Sequence, residues 1–265
     1  MEISEIIHGD KFAALCDFSI VDGMEPQAIP RNRGIRLVFC KQDRVAWFFR
    51  YIKEYGEKLI LVTHNADHNV AEFLEKALPP NVVHWFAQNV VIESERITPI
   101  PSGVERPGVG KSSDYAAIIR AREKRKDCPP RKKYLLAINP NTNPACRMPI
   151  TERLKGIGAV TVVYDLSFED YLDAIVDHEF VISPPGNGYD CHRTWEALYI
   201  GAIPIVWNLS PALFTGVPAV LVDSTEELIN LIQQDAIIPP SFKDIPRLKF
   251  DYWKQLILGM RSNSC

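Results

Sequence analysis

The stretch FVISPPGNGYDCHRTWEALYIGAIPIV, residues 180–206, leaves few folds open to this chain. Its opening FVIS and closing AIPIV runs are short, apolar and rich in β-branched residues, so both read as buried strands. Between them, a loop with two glycines feeds a helical pattern of about nine residues that stops at Gly201. A strand, loop, helix and strand in that order belong to a parallel sheet covered by helices.

The same rhythm runs through the rest of the chain. IRLVFC (35–40) and KLILV (58–62) flank the amphipathic DRVAWFFRYIKEYG, and NVAEFLEKAL stops at Pro79 and Pro80 before the apolar NVVHWFAQN. Further on, YLLAI (134–138), AVTVV (159–163), FVIS (180–183), AIPIV (202–206) and AVLV (219–222) predict five parallel strands. Ser167 and Ser224 stand where helix N-caps belong, with Glu227 at the capping-box position. FDYWKQLILGM (250–260) has helical spacing and is expected to pack across the domains. Arg120 to Lys133 hold eight basic and two acidic residues, with the breaker pair Pro129 and Pro130 among them. This run reads as a solvated helix end and linker, which divides the chain into an N-terminal domain (1–128), a C-terminal domain (129–242) and a final helix (243–265).

Composition removes several functions. A net charge of -3 over 265 residues cannot supply the positive field that nucleic-acid binding needs. No run approaches the roughly 20 apolar residues of a membrane span, and MEISEIIHGDKF lacks the form of a signal peptide. A soluble, cytoplasmic setting is expected, with Cys16, Cys40, Cys128, Cys146, Cys191 and Cys265 as reduced thiols. His64 and His68 are four apart, but Asn65 stands where a zinc motif needs glutamate. No Asp-x-Asp pair occurs, so no metal cofactor is expected. GVGKS (108–112) looks like the end of a phosphate loop, yet Glu105 occupies the position of its first glycine.

Ligands of open parallel sheets bind at the carboxyl ends of strands, where a helix start offers free amides and a positive dipole to phosphate. That makes the loop before His192 the natural diphosphate site. Arg193, in the first helical turn, can neutralise phosphate, and Glu196 on the same face can accept two ribose hydroxyls. Trp195, Leu198 and Tyr199 take the core-facing side.

The PPGNG, DCHRTWEAL and IPIV pieces in one block closely resemble the exostosin-like glycosyltransferases, including short bacterial and giant-virus members. THNAD (63–67), WFAQN (85–89), PIPSGVE (99–105) and NPNTNPACR (139–147) extend the resemblance over residues 35–255. It implies a GT-B architecture, two Rossmann-like domains facing a cleft, with the donor on the second and the acceptor largely on the first. The implied reaction is inverting, metal-independent transfer of a sugar, xylose being favoured, from a UDP-sugar to a glycan hydroxyl. Carried over by position, the donor contacts are Asn139, Arg147, Tyr164, Leu166, Pro185, Gly186, Asn187, Gly188, Tyr189, His192, Arg193 and Glu196. The family often has an acid before the arginine of the NTNP segment, where this chain has Ala145 and Cys146. Transfer also needs a base, and THNAD offers Asp67 with His64 beside it, or the two in exchanged roles. Two other readings stay open: Asp67 as the cap of a helix starting near Asn69, and a silent nucleotide-sugar or glycan binder.

Overall fold

The computed structural model describes residues 1–22, 35–109, 113–239 and 245–263. The chain builds two five-stranded parallel sheets, both covered by helices. Residues 110–112 of the GVGKS segment lie outside the described residues.

The first half runs α1 (Gly9–Leu15), β1 (Phe18–Ile20), β2 (Arg36–Lys41), α2 (Val45–Ile52), β3 (Leu59–His64), α3 (Glu72–Lys76), β4 (Val82–Ala87) and β5 (Ile97–Pro99). Its strands lie side by side in chain order, β1-β2-β3-β4-β5. Alternation in β2 to β4 sends Val38, Leu61 and Trp85 onto Phe48 and Phe49 of α2. Leu37, Ile60 and Phe86 face the other way, onto Ile7 and Phe12.

The second half follows α4 (Tyr115–Asp127) with β6 (Lys132–Ala137), α5 (Pro144–Leu154), β7 (Val160–Val163), α6 (Phe168–Asp177), β8 (His178–Ser183), α7 (His192–Ile200), β9 (Ile203–Trp207), β10 (Val220–Val222) and α8 (Thr225–Gln233). Its strand order is β10-β9-β8-β6-β7. The chain therefore leaves β6 toward one edge and returns to β8 on its other side. That reversal opens a crevice above the carboxyl ends of β6 and β8. The first sheet, which never reverses, has no such crevice of its own.

Both expected caps form: Ser167 Oγ accepts from Asp170 N and Ser224 Oγ from Glu227 N. The Glu227 carboxylate reaches the Asp223 amide, one residue short of the capping-box partner. Gly201, with φ of 100°, stops α7 in a left-handed turn that a side chain would strain.

The basic run ends helix α4 with Arg120, Lys124, Lys126, Arg131 and Lys132 exposed, as expected of a solvated helix end, but two of its arginines reach other helices. Arg122 donates to the Tyr199 carbonyl at the end of α7, and Arg125 to the Ile175, Val176 and His178 carbonyls at the end of α6. These guanidinium groups satisfy orphan helix-end carbonyls, so α4 is tied to the helices of the second half.

The terminal helix α9 (Phe250–Asn263) returns to the first half. Phe250 meets the Phe12 ring edge-on, Arg261 pairs with Asp17, and Trp253 is fully buried. One apolar cluster includes Phe12, Phe39, Leu135, Val181, Trp195 and Trp253, so the two halves share a core. No helix among the described residues is long and apolar enough to cross a membrane.

Candidate functional site

A cavity of about 480 Å³ opens above the switch point of the second sheet. Its walls come from the loops after β6, β7 and β8, the start of α7, and two residues of the first half, Asp67 and Gln88.

Arg147 builds the floor. It is 4% exposed, and its Nε donates to Pro185 O at 2.9 Å while Nη1 donates to Asn139 O at 3.0 Å. One guanidinium thus holds the β6 and β8 loops together. Its pKa is lowered by burial first and then by the charge of Arg193. Arg193 also faces the cavity, and its Nε and Nη1 are buried without a hydrogen-bond partner. Two cations held close, one with unpaired donors, make a site that favours an anion.

Glu196 is 3% exposed. Tyr171 O–H donates to its Oε2 at 2.7 Å, while Oε1 is buried without a partner. Burial raises the carboxyl pKa, so a hydroxyl donor at Oε1 would be strongly favoured. The α7 N-cap, Cys191, gives no side-chain cap, which leaves the helix start for a ligand.

The glycine loop is fixed by both halves. A Cβ on Gly188 would stand 2.7 Å from Asn89 Nδ2, so only glycine lets the loops come this close. Asn89 Oδ1 accepts the Asp190 amide at 2.8 Å. The buried Asp190 carboxylate accepts from Ser102 N of the first half and from Trp195 Nε1, both at 2.7 Å. Ser102 Oγ donates to the Asp190 carbonyl, and His192 Nδ1 donates to the Gly103 carbonyl at 2.8 Å.

On the first-half side, a buried polar chain holds the THNAD segment. Trp85 Nε1 donates to Thr63 Oγ1, Thr63 Oγ1 to Gln42 Oε1, and Gln88 Oε1 accepts the Asn65 amide. Asn65 adopts φ of 64°, and Asp67, two residues on, is exposed at the cavity wall. Helix α3 begins at Glu72 with Ala71 at its N-cap, so Asp67 caps no helix.

Of the expected site residues, Asp67, Asn139, Arg147, Tyr164, Leu166, Gly186, Asn187, Gly188, His192, Arg193 and Glu196 line this one cavity. His64, Pro185 and Tyr189 do not. His64 is 2% exposed; its Nε2–H donates to the Pro101 carbonyl and its Nδ1 accepts the Asn65 amide. Burial pushes its pKa down to about 4, which makes it a neutral support of the loop rather than a group facing the cavity. Pro185 serves through its carbonyl to Arg147. Tyr171, Gln88 and Asp190 are lining residues that the sequence reading did not single out.

No protein-family model matches this chain, and comparison with the curated proteins finds none that matches it. Fold and site together define a class: two parallel α/β halves sharing a core, with a cleft at a strand-end switch point that sets Arg147 and Arg193 among the carboxyl groups of Asp67, Asp165, Asp190 and Glu196.

Proposed function

We propose that the protein is a glycosyltransferase of GT-B architecture that moves a sugar, xylose being the first to test, from a UDP-sugar to a glycan hydroxyl with inversion. The observation that carries this reading is the pairing of unpartnered Arg193 nitrogens with the unpartnered Glu196 oxygen at the start of one helix. Cation and carboxylate spaced by one helical turn match a nucleoside diphosphate, whose phosphate seeks donors and whose ribose offers them. The wall formed by Tyr164, Leu166 and Phe168 would take the base.

Asp67, exposed and supplied to the lining by the first half, is the base of this reading. Its carboxylate takes the proton of the acceptor hydroxyl as that oxygen attacks the anomeric carbon. The bond from that carbon to the diphosphate breaks, and the charge left on the diphosphate falls to Arg193, Arg147 and the α7 amides. No step in this scheme calls for a metal.

The test is release of UDP from UDP-xylose with a hydroxylated acceptor, followed in excess chelator for the wild type and for Asp67→Asn. The reading expects turnover in chelator and a loss of about 100-fold or more in the variant. Strict dependence on added manganese would sink the metal-free scheme. Absence of turnover with every UDP-sugar, alongside tight UDP binding, would favour a silent nucleotide-sugar binder.

A further inference from the structure

A second cavity, of about 450 Å³, shares Gly186 to Gly188 with the first but extends the other way along the sheet. The first stands over β8, β6 and β7; the second reaches the carboxyl ends of β9 and β10, at Trp207, Asn208 and Asp223. Asn69 of the first half closes it.

Its chemistry contrasts with that of its neighbour. No lysine or arginine lines it among the described residues, and Asp223 brings a negative charge, so an anionic ligand is disfavoured. Amide, hydroxyl, carboxylate and aromatic groups, as in Asn69, Asn143, Tyr189 and Trp207, share the lining with the apolar Pro149, Ile150 and Pro185. Two of these groups are unsatisfied. Trp207 is 4% exposed and its Nε1–H, which can only donate, is buried without a partner; Asn69 Oδ1, which can only accept, is likewise buried and unpartnered. A buried donor and a buried acceptor on walls supplied by different halves ask for a ligand that both accepts and donates. A neutral molecule dense in hydroxyl groups does both, and the volume lies in the range of small-ligand sites.

We propose that this second cavity is a binding site for a neutral saccharide unit, held by Trp207, Asn69 and Asp223. Its occupancy reaches the first cavity through the shared loop, because Asn143 Nδ2 donates to the Gly186 carbonyl at 2.8 Å from the second cavity's wall. The inference goes beyond the nucleotide-sugar reading and stands without it, since it uses neither Arg193 nor Glu196.

The experiment is saturation-transfer NMR on the full chain with xylobiose, cellobiose and lactose at up to about 20 mM, the range for weak single-site ligands. It is run with and without saturating UDP, on the wild type, Trp207→Phe and Asp223→Ala. Trp207→Phe removes the indole N–H while keeping a ring, and Asp223 is exposed, so the second variant leaves the core untouched. At least one disaccharide is expected to bind the wild type, to persist when UDP is present, and to weaken at least about fivefold in either folded variant. UDP affinity, measured separately by calorimetry, is expected to stay within about twofold in both variants. Failure of all three sugars to bind, displacement of the sugar by UDP, or undiminished binding in Asp223→Ala would overturn the proposal. A failure of UDP to bind would count against the nucleotide reading alone.

Discussion

Arg193 and Glu196 are one helical turn apart, both line the same cavity, and each carries a buried polar atom without a partner. Their separate parts can be measured. Arg193→Ala is expected to weaken UDP binding about 10-fold to 100-fold, the size of a lost charge-assisted contact. Glu196→Gln keeps the shape and leaves an acceptor for the Tyr171 hydroxyl, so it is expected to cost about 10-fold in UDP affinity with little change in melting temperature. His64 makes a prediction of opposite character, about stability and not binding. Its folded pKa lies at about 4, below the ordinary value of 6.5, so an unfolded chain binds the proton more readily in that window. Stability from this group is complete above pH 6.5 and is lost as pH falls toward 4, on the order of 3 kcal/mol. Burial raises Asp190 to about 6, and that group works the other way, favouring the folded state as pH falls from 6. Urea unfolding of wild type and His64→Gln across this range separates the two: acidification should cost the wild type more than the variant. Equal slopes would show that the folded imidazole takes up its proton as readily as the unfolded one.

At the scale of elements, the caps and the glycine loop are the sensitive points. Ser167→Ala removes the acceptor for Asp170 N and is expected to cost about 1 kcal/mol, or about 2 °C in melting temperature. Gly188→Ala forces a methyl against Asn89 and should cost about 1–3 kcal/mol while lowering ligand affinity through the displaced loop. The sequence shows the central strands plainly, because β3 and β8 carry the apolar runs LILV and FVI, buried on both faces. It hides β1 and β5, three-residue edge strands too short for any periodicity. Helix α5 is masked by Pro144 and Pro149, which read as breakers, although one starts the helix and the other is accommodated inside it. Helix α4 is masked by charge, since its buried face is only Ala117, Ile118 and Ala121. The glycine loop and the start of α7 are legible because their residues are close in sequence. Asp190 is not, because its role depends on Ser102, 88 positions away, and Tyr171 looks like one more apolar residue of an amphipathic helix.

At the scale of the molecule, the two halves are joined through a common core and through Asp190, and not by a hinge alone. Far-UV dichroism and tryptophan fluorescence should therefore report one coincident thermal transition, since neither half can expose its share of the core independently. Asp190→Ala leaves the Ser102 amide and the Trp195 indole N–H unsatisfied between the halves. A loss of about 3 kcal/mol or more is expected, with the transition broadening or splitting as the halves uncouple. The same junction brings Asp67 of the first half and the start of α7 to the lining of one cavity, which neither half could do alone. Calorimetric titration of UDP into the wild type and Arg193→Ala tests the central claim most directly. The account predicts one mole of UDP bound per mole of wild-type protein, with affinity falling at least about 10-fold in the variant. Equal affinity in the two proteins, or no UDP bound by the wild type, would contradict it.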